Sequence, residues 1–159
     1  QLASPELRDK YLAGQLQEGD SLTRIKIPAI DVDVVVVEGT GADALRAGAG
    51  HYNETALPCE DGTVGIAGHR TTYGAPFRSL DALRPGDAIT LRLPYGSFRY
   101  AVEGWRIVQP GDLSVLRRVG HDRLVLSACH PLFSAARRIV VFARLTEVGQ
   151  SARQRGQHV

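Results

Sequence analysis

The chain of 159 residues contains no methionine and no long apolar run. A complete translated chain begins with methionine, so we expect an N-terminal segment, such as a targeting or anchoring segment, to be missing from this sequence. A membrane-spanning helix needs about 20 consecutive apolar residues, whereas the longest apolar runs here are short, such as residues 139–143. The sequence therefore predicts a globular domain with no membrane span inside it.

Lysine and cysteine are scarce as well. Lysine occurs at Lys10 and Lys26, so 17 of the 19 basic residues are arginine, and the formal net charge is only +2. This balance gives no electrostatic footprint for nucleic acid, which we do not expect as a partner. Cys59 and Cys129 allow one disulfide or two thiols. Neither Cys-x-x-Cys nor His-Glu-x-x-His spacing is present, so no zinc motif is found.

Strand patterns fill most of the sequence. Alternating or β-branched apolar residues predict seven strands, at 22–28, 32–38, 63–69, 88–93, 97–108, 123–129 and 138–146. Short helices are predicted at 42–47 and after Asp112, and an N-terminal helix within residues 1–16, where Ser4 and Pro5 suit the first turn. Many short strands with few helices favour a closed barrel or a sandwich. The polar segment 149–159 is expected to form a flexible tail.

A candidate nucleophile lies at the end of one predicted strand. Cys129 follows a strand-like run and precedes His130 and Pro131, and a proline there stops strand pairing. At neutral pH only a few per cent of an ordinary thiol is thiolate, so a nucleophilic cysteine needs a proton partner or a positive charge nearby. Read alone, Cys129 also fits a small buried apolar residue.

Two further residues can supply that help. His69 ends the predicted strand 63–69 after a glycine, while His130 is a poorer partner because neighbours on a strand point to opposite faces. Arg138 opens the strand after Cys129, where its guanidinium could hold an oxyanion. Read alone, His69 fits a strand-capping histidine and Arg138 a surface arginine. Together with Cys129 they indicate a cysteine acyl-transfer site.

At this point the sequence resembles the sortases, cysteine transpeptidases of Gram-positive cell surfaces. The resemblance covers about Thr23 to Thr146 and is strongest in Gly65-Ile66-Ala67-Gly68-His69-Arg70-Thr71-Thr72-Tyr73-Gly74-Ala75-Pro76-Phe77, which is similar to the histidine segment of class E sortases, the housekeeping type of many actinobacteria. Shorter matching stretches are Ile27-Pro28-Ala29-Ile30, Gly50-His51-Tyr52, Leu80-Asp81-Ala82-Leu83-Arg84-Pro85-Gly86-Asp87 and Cys129-His130-Pro131. The resemblance implies that His69, Cys129 and Arg138 are the catalytic residues, with Arg137 as the alternative arginine.

Two positions depart from the family pattern. The family strand usually reads Thr-Leu-any-Thr-Cys, but here Ala128 stands in place of the threonine before the nucleophile. If that hydroxyl orients the substrate or the arginine, the enzyme would be slower or differently selective. Cys59 stands where relatives often have glycine, and the sequence assigns it no role.

The resemblance implies a closed eight-stranded β-barrel with short helices, so an eighth strand is expected near residues 51–55. Together with the patterns at the two ends, it divides the chain into an N-terminal helix and linker (1–20), a catalytic domain (21–148) and a flexible tail (149–159). It implies cleavage of a C-terminal sorting signal like Leu-Ala-x-Thr-Gly between Thr and Gly, through a thioester acyl-enzyme, with no cofactor. The implied partners are secreted proteins that carry this signal and an amine acceptor on a peptidoglycan precursor. The implied location is the extracellular face of the cell membrane, with an N-terminal segment as the anchor.

Two alternatives stay open on the sequence alone. One is a catalytically impaired binding module with the same fold, for which Ala128 is the main sign. The other is a metal site using Cys59, His69, Cys129 and His130, or a calcium site. We interpret the acidic residues Asp31, Asp33 and Glu38 instead as a solvated cluster beside a strand.

Overall fold

The computed structural model describes residues 17–58, 62–70, 74–93, 96–130 and 136–149, with residues 129 and 130 as backbone. These residues form eight β-strands: β1 (Ser21–Ile27), β2 (Val32–Glu38), β3 (Ala49–His51), β4 (Thr63–Ala67), β5 (Ala88–Leu93), β6 (Gly96–Val108), β7 (Arg123–His130) and β8 (Arg137–Gly149). The connections carry one short α-helix, α1 (Ala42–Ala47), and 3₁₀ helices at Pro28–Ile30, Leu80–Ala82 and Leu113–Leu116.

The strands close into a barrel in the order β1-β2-β3-β4-β7-β8-β6-β5, with β5 paired back to β1. Neighbouring strands are antiparallel except for two parallel pairs, β2 with β3 and β4 with β7. A parallel pair requires the chain to cross over between its strands. In the first crossover the chain passes through α1, and in the second it passes through β5 and β6. As a result β4 lies beside β7 although the two are distant in sequence, and β7 also pairs with β8, the next strand along the chain.

Alternation along the strands decides which residues fill the barrel. In β1, Ile25 and Ile27 are fully buried, while Arg24 and Lys26, which alternate with them, are exposed. Every one of the eight strands contributes apolar side chains to this interior core. The core is therefore a single cluster that all strands share.

β7 and β8 are covered on both faces. Leu124 and Leu126 of β7 face the interior core, whereas Val125 packs on the outer face against Val140 of β8. Val115, from the 3₁₀ helix Leu113–Leu116, completes this outer cluster. The helix thus forms a wall over the outer face of β7 and β8.

The predicted all-β barrel is confirmed, and the seven predicted strands correspond to β1, β2 and β4–β8. The eighth strand is β3, which reaches the expected segment 51–55 only at His51. The predicted helix in residues 1–16 and residues 150–159 of the predicted tail lie outside the described residues, while Gly149 ends β8. Within the described part of the chain, no helix has the length and apolar character that crossing a membrane requires.

Candidate active site

Strand register brings the predicted catalytic positions to one edge of the barrel. The parallel register of β4 and β7 pairs Ala67 with Ser127. His69 and Cys129 each lie two residues beyond this pair, so the chain positions are level with each other. The antiparallel register of β7 and β8 makes Cys129 and Arg138 direct partners. The three positions that the sequence singled out therefore lie at one level: Cys129 in β7, Arg138 in β8 and His69 two residues after β4.

The backbone of His69 is held on both sides. The Gly68 N–H donates to the Ser127 carbonyl at 3.1 Å, and the Phe77 N–H donates to the His69 carbonyl at 3.0 Å. The fully buried Phe77 ring packs on Gly68, where an added Cβ would lie 2.7 Å from the ring. Gly68 therefore gives Phe77 the room to pack beside His69. The His69 side chain is half-buried.

Arg70, next to His69, is buried and anchors the loop that follows. Its guanidinium donates twice to the Arg78 carbonyl, at 3.2 and 3.0 Å, and makes an ion pair of 3.4 Å with Asp81. The two ends of the histidine loop are thus tied together from inside. Residues 71–73 of the histidine motif lie outside the described residues.

Of the two neighbouring arginines in β8, Arg138 is the one that faces a cavity. Its side chain is half-buried, lines the cavity on the outer face of β7 and β8, and donates to the Arg137 carbonyl at 3.3 Å. Arg137 is exposed and stands opposite His130 in the strand register.

The cavity has a volume of about 250 Å³ and lies beneath the 3₁₀ helix Leu113–Leu116. Apolar groups line it from the helix and the strand, including Val115 and Val140, and polar groups come from Tyr52, Ser127 and Arg138. An apolar groove with a few convergent polar groups beside a candidate nucleophile is suited to bind an extended peptide.

Asp112 caps the helix that forms the cavity wall. Its Oδ1 accepts hydrogen bonds from the Ser114 hydroxyl and from the Ser114 N–H at 3.0 Å. These hydrogen bonds, first the one from the hydroxyl, lower the pKa of the Asp112 carboxyl because they favour its charged form. The prediction that Asp112 caps a short helix is confirmed.

Tyr52 connects the loop after β3 to β7. Its hydroxyl shares a hydrogen bond of 2.8 Å with the Ser127 hydroxyl, two residues before Cys129. The ring approaches β4 over Gly65, where an added Cβ would lie 3.0 Å from Tyr52 and 2.8 Å from Leu116. Tyr52 lines both the cavity beside Arg138 and a second cavity of about 510 Å³.

Behind this loop lies a buried polar network that sequence reasoning missed. Glu38 and His51 are almost fully buried, and Glu38 Oε1 lies 2.8 Å from His51 Nδ1. The expected solvated acidic cluster is therefore wrong for Glu38, while Asp33 is exposed and paired with Arg24. The matching stretch Gly50-His51-Tyr52 was the signal that could have drawn attention to His51 and Tyr52.

The structure also locates the departures from the family pattern. Ala128 is 4% exposed and belongs to the interior core, so a side chain at this position faces the barrel rather than the cavity. Cys59 lies outside the part of the chain that the structure describes. Within that part, no group of three or more His, Cys, Asp and Glu residues is placed to hold a metal ion.

Comparisons with known proteins show which family and which fold the chain resembles. Residues 25–146 match the family model described as Sortase domain. Sortase D of Bacillus subtilis (strain 168) is 33% identical over 133 residues, which cover 80% of this chain and 65% of that protein. Sortase SrtE1 of Streptomyces coelicolor (strain ATCC BAA-471 / A3(2) / M145) is 32% identical over 154 residues, which cover 87% of this chain and 44% of that protein. The chain therefore spans less than two thirds of the length of each of these relatives.

A solved structure shows the same fold. The crystal structure of sortase E1 from Streptomyces coelicolor, with a tripeptide in the active site, superposes with a TM-score of 0.80 at 30% sequence identity. The match covers 85% of this chain and 93% of that chain.

Proposed function

The chain belongs to the sortase family, and from this we propose that it is a cysteine transpeptidase. In this proposal residues 21–148 form the catalytic domain, which cleaves a C-terminal sorting signal between Thr and Gly and joins the new C-terminus to an amine. A signal like Leu-Ala-x-Thr-Gly is proposed from the resemblance of the histidine segment to class E sortases.

The observation that supports the proposal most strongly is that the three candidate positions lie at the same level on one edge of the barrel. Cys129 is the direct register partner of Arg138, and His69 lies as far beyond the Ala67–Ser127 pair as Cys129 does. Acyl transfer through a thioester needs a nucleophile, a proton carrier and a group that stabilises the oxyanion, and an arginine can be that third group.

The first half of the proposed reaction forms an acyl-enzyme. The Cys129 thiolate attacks the carbonyl carbon of the Thr–Gly bond, and Arg138 stabilises the negative charge that develops on the carbonyl oxygen. The carbon–nitrogen bond then breaks as protonated His69 gives its proton to the departing glycine amine. The products are a thioester at Cys129 and the released C-terminal fragment.

The second half returns the enzyme to its starting state. An amine attacks the thioester carbonyl, and neutral His69 accepts the proton that the amine loses. The carbon–sulfur bond breaks, the thiolate is restored and a new amide bond is left on the substrate protein. The protons balance because His69 donates one in the first half and receives one in the second.

The proposed partners follow from this chemistry and from the family. They are secreted proteins with the sorting signal and an amine on a peptidoglycan precursor. The proposed location is the outer face of the cell membrane, with the full protein anchored there.

The test is a panel of sorting-signal peptides incubated with a simple amine and analysed by mass spectrometry. We expect the unmodified protein to form the peptide–amine product, and Cys129→Ala and His69→Ala each to abolish it. His121→Ala is the matched control, because His121 lies just before β7, at the end of the strand opposite Cys129, and contacts Arg144. Full activity of Cys129→Ala would overturn the proposal, and absence of transfer with every peptide would favour a binding module of the same fold.

A further inference from the structure

The Glu38–His51 pair has no part in the proposed bond chemistry, yet it is the most deeply buried ionisable pair near the candidate site in the described residues. We propose that this pair positions one wall of the substrate groove, the cavity beneath the 3₁₀ helix Leu113–Leu116. It holds the turn formed by residues 52–56 so that the Tyr52 hydroxyl stays on Ser127 and the Tyr52 ring forms a fixed wall of the groove. The activity part of this inference rests on the proposed function, and the structural part does not.

The pair is assembled by the parallel pairing of β2 and β3. In this register Glu38 stands opposite His51. Glu38 is 6% exposed and His51 is 1% exposed. Glu38 Oε1 contacts His51 Nδ1 at 2.8 Å, and Glu38 Oε2 accepts a hydrogen bond of 2.7 Å from the Asn53 side-chain amide. Both carboxyl oxygens are therefore engaged.

The hydrogen-bond partners also determine where the protons are. His51 Nε2 lies 2.9 Å from the Ala56 carbonyl, which can only accept, so Nε2 carries a proton. Between His51 Nδ1 and Glu38 Oε1 there must be one more proton, on the ring or on the carboxyl. In either arrangement, both ring nitrogens of His51 and both carboxyl oxygens of Glu38 are hydrogen-bonded.

Thr55 connects the Glu38–His51 pair to the turn formed by residues 52–56. Its hydroxyl lies 3.0 Å from His51 Nε2, donates to the Tyr52 carbonyl at 2.8 Å and accepts from the Gly65 N–H at 3.0 Å. The Tyr52 N–H in turn donates to the Gly65 carbonyl at 2.9 Å. The turn is thus bound to β4 on one side and to His51 on the other.

The last contact reaches the candidate active site. The hydrogen bond of 2.8 Å between the hydroxyls of Tyr52 and Ser127 joins the turn to the strand that carries Cys129. A buried ion pair usually adds little stability compared with apolar residues of the same size. The directional bonds that the pair makes to the turn are therefore its main contribution, and these bonds act on substrate binding.

Kinetics of three variants test this role. Glu38→Ala should raise KM for the sorting peptide about tenfold, a typical coupling between contacting residues, with a smaller change in kcat. Glu38→Gln should stay close to wild type, because its amide can donate to His51 Nδ1 while its oxygen accepts from Asn53. Asp33→Ala is the matched control, because Asp33 lies in β2 like Glu38 but forms an exposed ion pair with Arg24. Loss of binding in Glu38→Gln equal to that in Glu38→Ala would overturn the inference.

A double-mutant cycle separates positioning from a general loss of stability. If Glu38 acts through the Tyr52 hydroxyl, Glu38→Ala combined with Tyr52→Phe should raise KM little more than the larger single change does. Effects that add in full would show that the pair acts by another route and would contradict the inference.

Hydrogen exchange gives a readout that does not depend on catalysis. In Glu38→Ala the amides of Tyr52, Thr55 and Gly65 should exchange faster than in Asp33→Ala, because these amides form the turn and its bonds to β4. If the wild type transfers no peptide but the exchange result holds, the proposed function fails and the positioning role stands. Unchanged exchange at these amides would remove the positioning role whether or not transfer occurs.

Discussion

Arg138 is the candidate catalytic group whose role depends on the shape of its side chain as well as on its charge. It stands opposite Cys129 in the register of β7 and β8 and lines the cavity. A guanidinium offers a planar fork of donors to an oxyanion, whereas an ammonium is a point charge. We expect Arg138→Ala to lower kcat/KM for peptide transfer about 10²–10³-fold, the usual cost of losing an oxyanion donor. Arg138→Lys should recover only part of this loss, and steady-state kinetics with one peptide and one amine measures both.

Arg137, the residue before Arg138, provides the control substitution. Arg137 is exposed and stands opposite His130, so Arg137→Ala should change kcat/KM no more than about twofold, as surface substitutions usually do. A large loss with Arg137→Ala and none with Arg138→Ala would assign the role to Arg137.

Single residues also show where prediction from sequence ends. His69, Cys129 and Arg138 could be singled out because their residue types and flanking motifs are informative locally. Glu38 could not, because its partner His51 is 13 residues away and reaches it through a parallel pairing that no local pattern reveals. For Ala128, the strand alternation that places it in the core is visible only once the inner face of β7 is known.

At the scale of elements, the 3₁₀ helix Leu113–Leu116 forms a wall of the cavity on the outer face of β7 and β8. Asp112 caps it, and hydrogen bonds from Ser114 lower the pKa of this carboxyl in the folded state. We expect Asp112→Ala to raise KM for the sorting peptide while changing kcat less, because the helix packs over the cavity but carries none of the catalytic positions. Asp87→Ala is the control, since Asp87 accepts the Arg84 N–H in a turn that does not line the cavity.

The same cap gives a pH dependence of defined sign. A carboxyl with a lowered folded-state pKa stabilises the fold above its unfolded-state pKa, which is about 4 for aspartate. This contribution is lost as the pH falls through the folded-state value. The difference in free energy of unfolding between wild type and Asp112→Ala should therefore be present near neutral pH and disappear well below about pH 4. Urea titrations at both pH values measure it, and a difference that grows in acid would contradict the assignment of the cap.

Elements differed in how well the sequence predicted them. Alternation or β-branched runs identify seven strands, because each has five or more residues and at least one buried face. β3 has only three residues, Ala49, Gly50 and His51, which lack β propensity and are held by pairing with β2 and β4. The strand order could not be read from local patterns, since β4 and β7 meet through a crossover that contains two other strands. The resemblance to a family supplied the barrel that periodicity alone left open.

For the whole molecule, the important division is between the interior of the barrel and the outer face of β7 and β8. The interior core takes side chains from all eight strands, whereas the cavity lies outside it, beneath the 3₁₀ helix. Substitutions of interior core residues should therefore lower the free energy of unfolding of the whole fold. The activity of each folded molecule should stay the same.

Leu91 offers the test at this scale, because it is fully buried in β5 and pairs with Ile25 of β1, where the barrel closes. We expect Leu91→Ala to lower the free energy of unfolding by about 2–5 kcal/mol, and Leu91→Met, which nearly conserves volume, by less than about 1.5 kcal/mol. Since one core joins all strands, unfolding followed by Trp105 fluorescence in β6 should coincide with unfolding followed by circular dichroism. Separate transitions in Leu91→Ala would show that the pairing of β1 with β5 opens independently. If kcat/KM of Leu91→Ala falls by a larger factor than the fraction of folded protein does, the interior core also influences the active site.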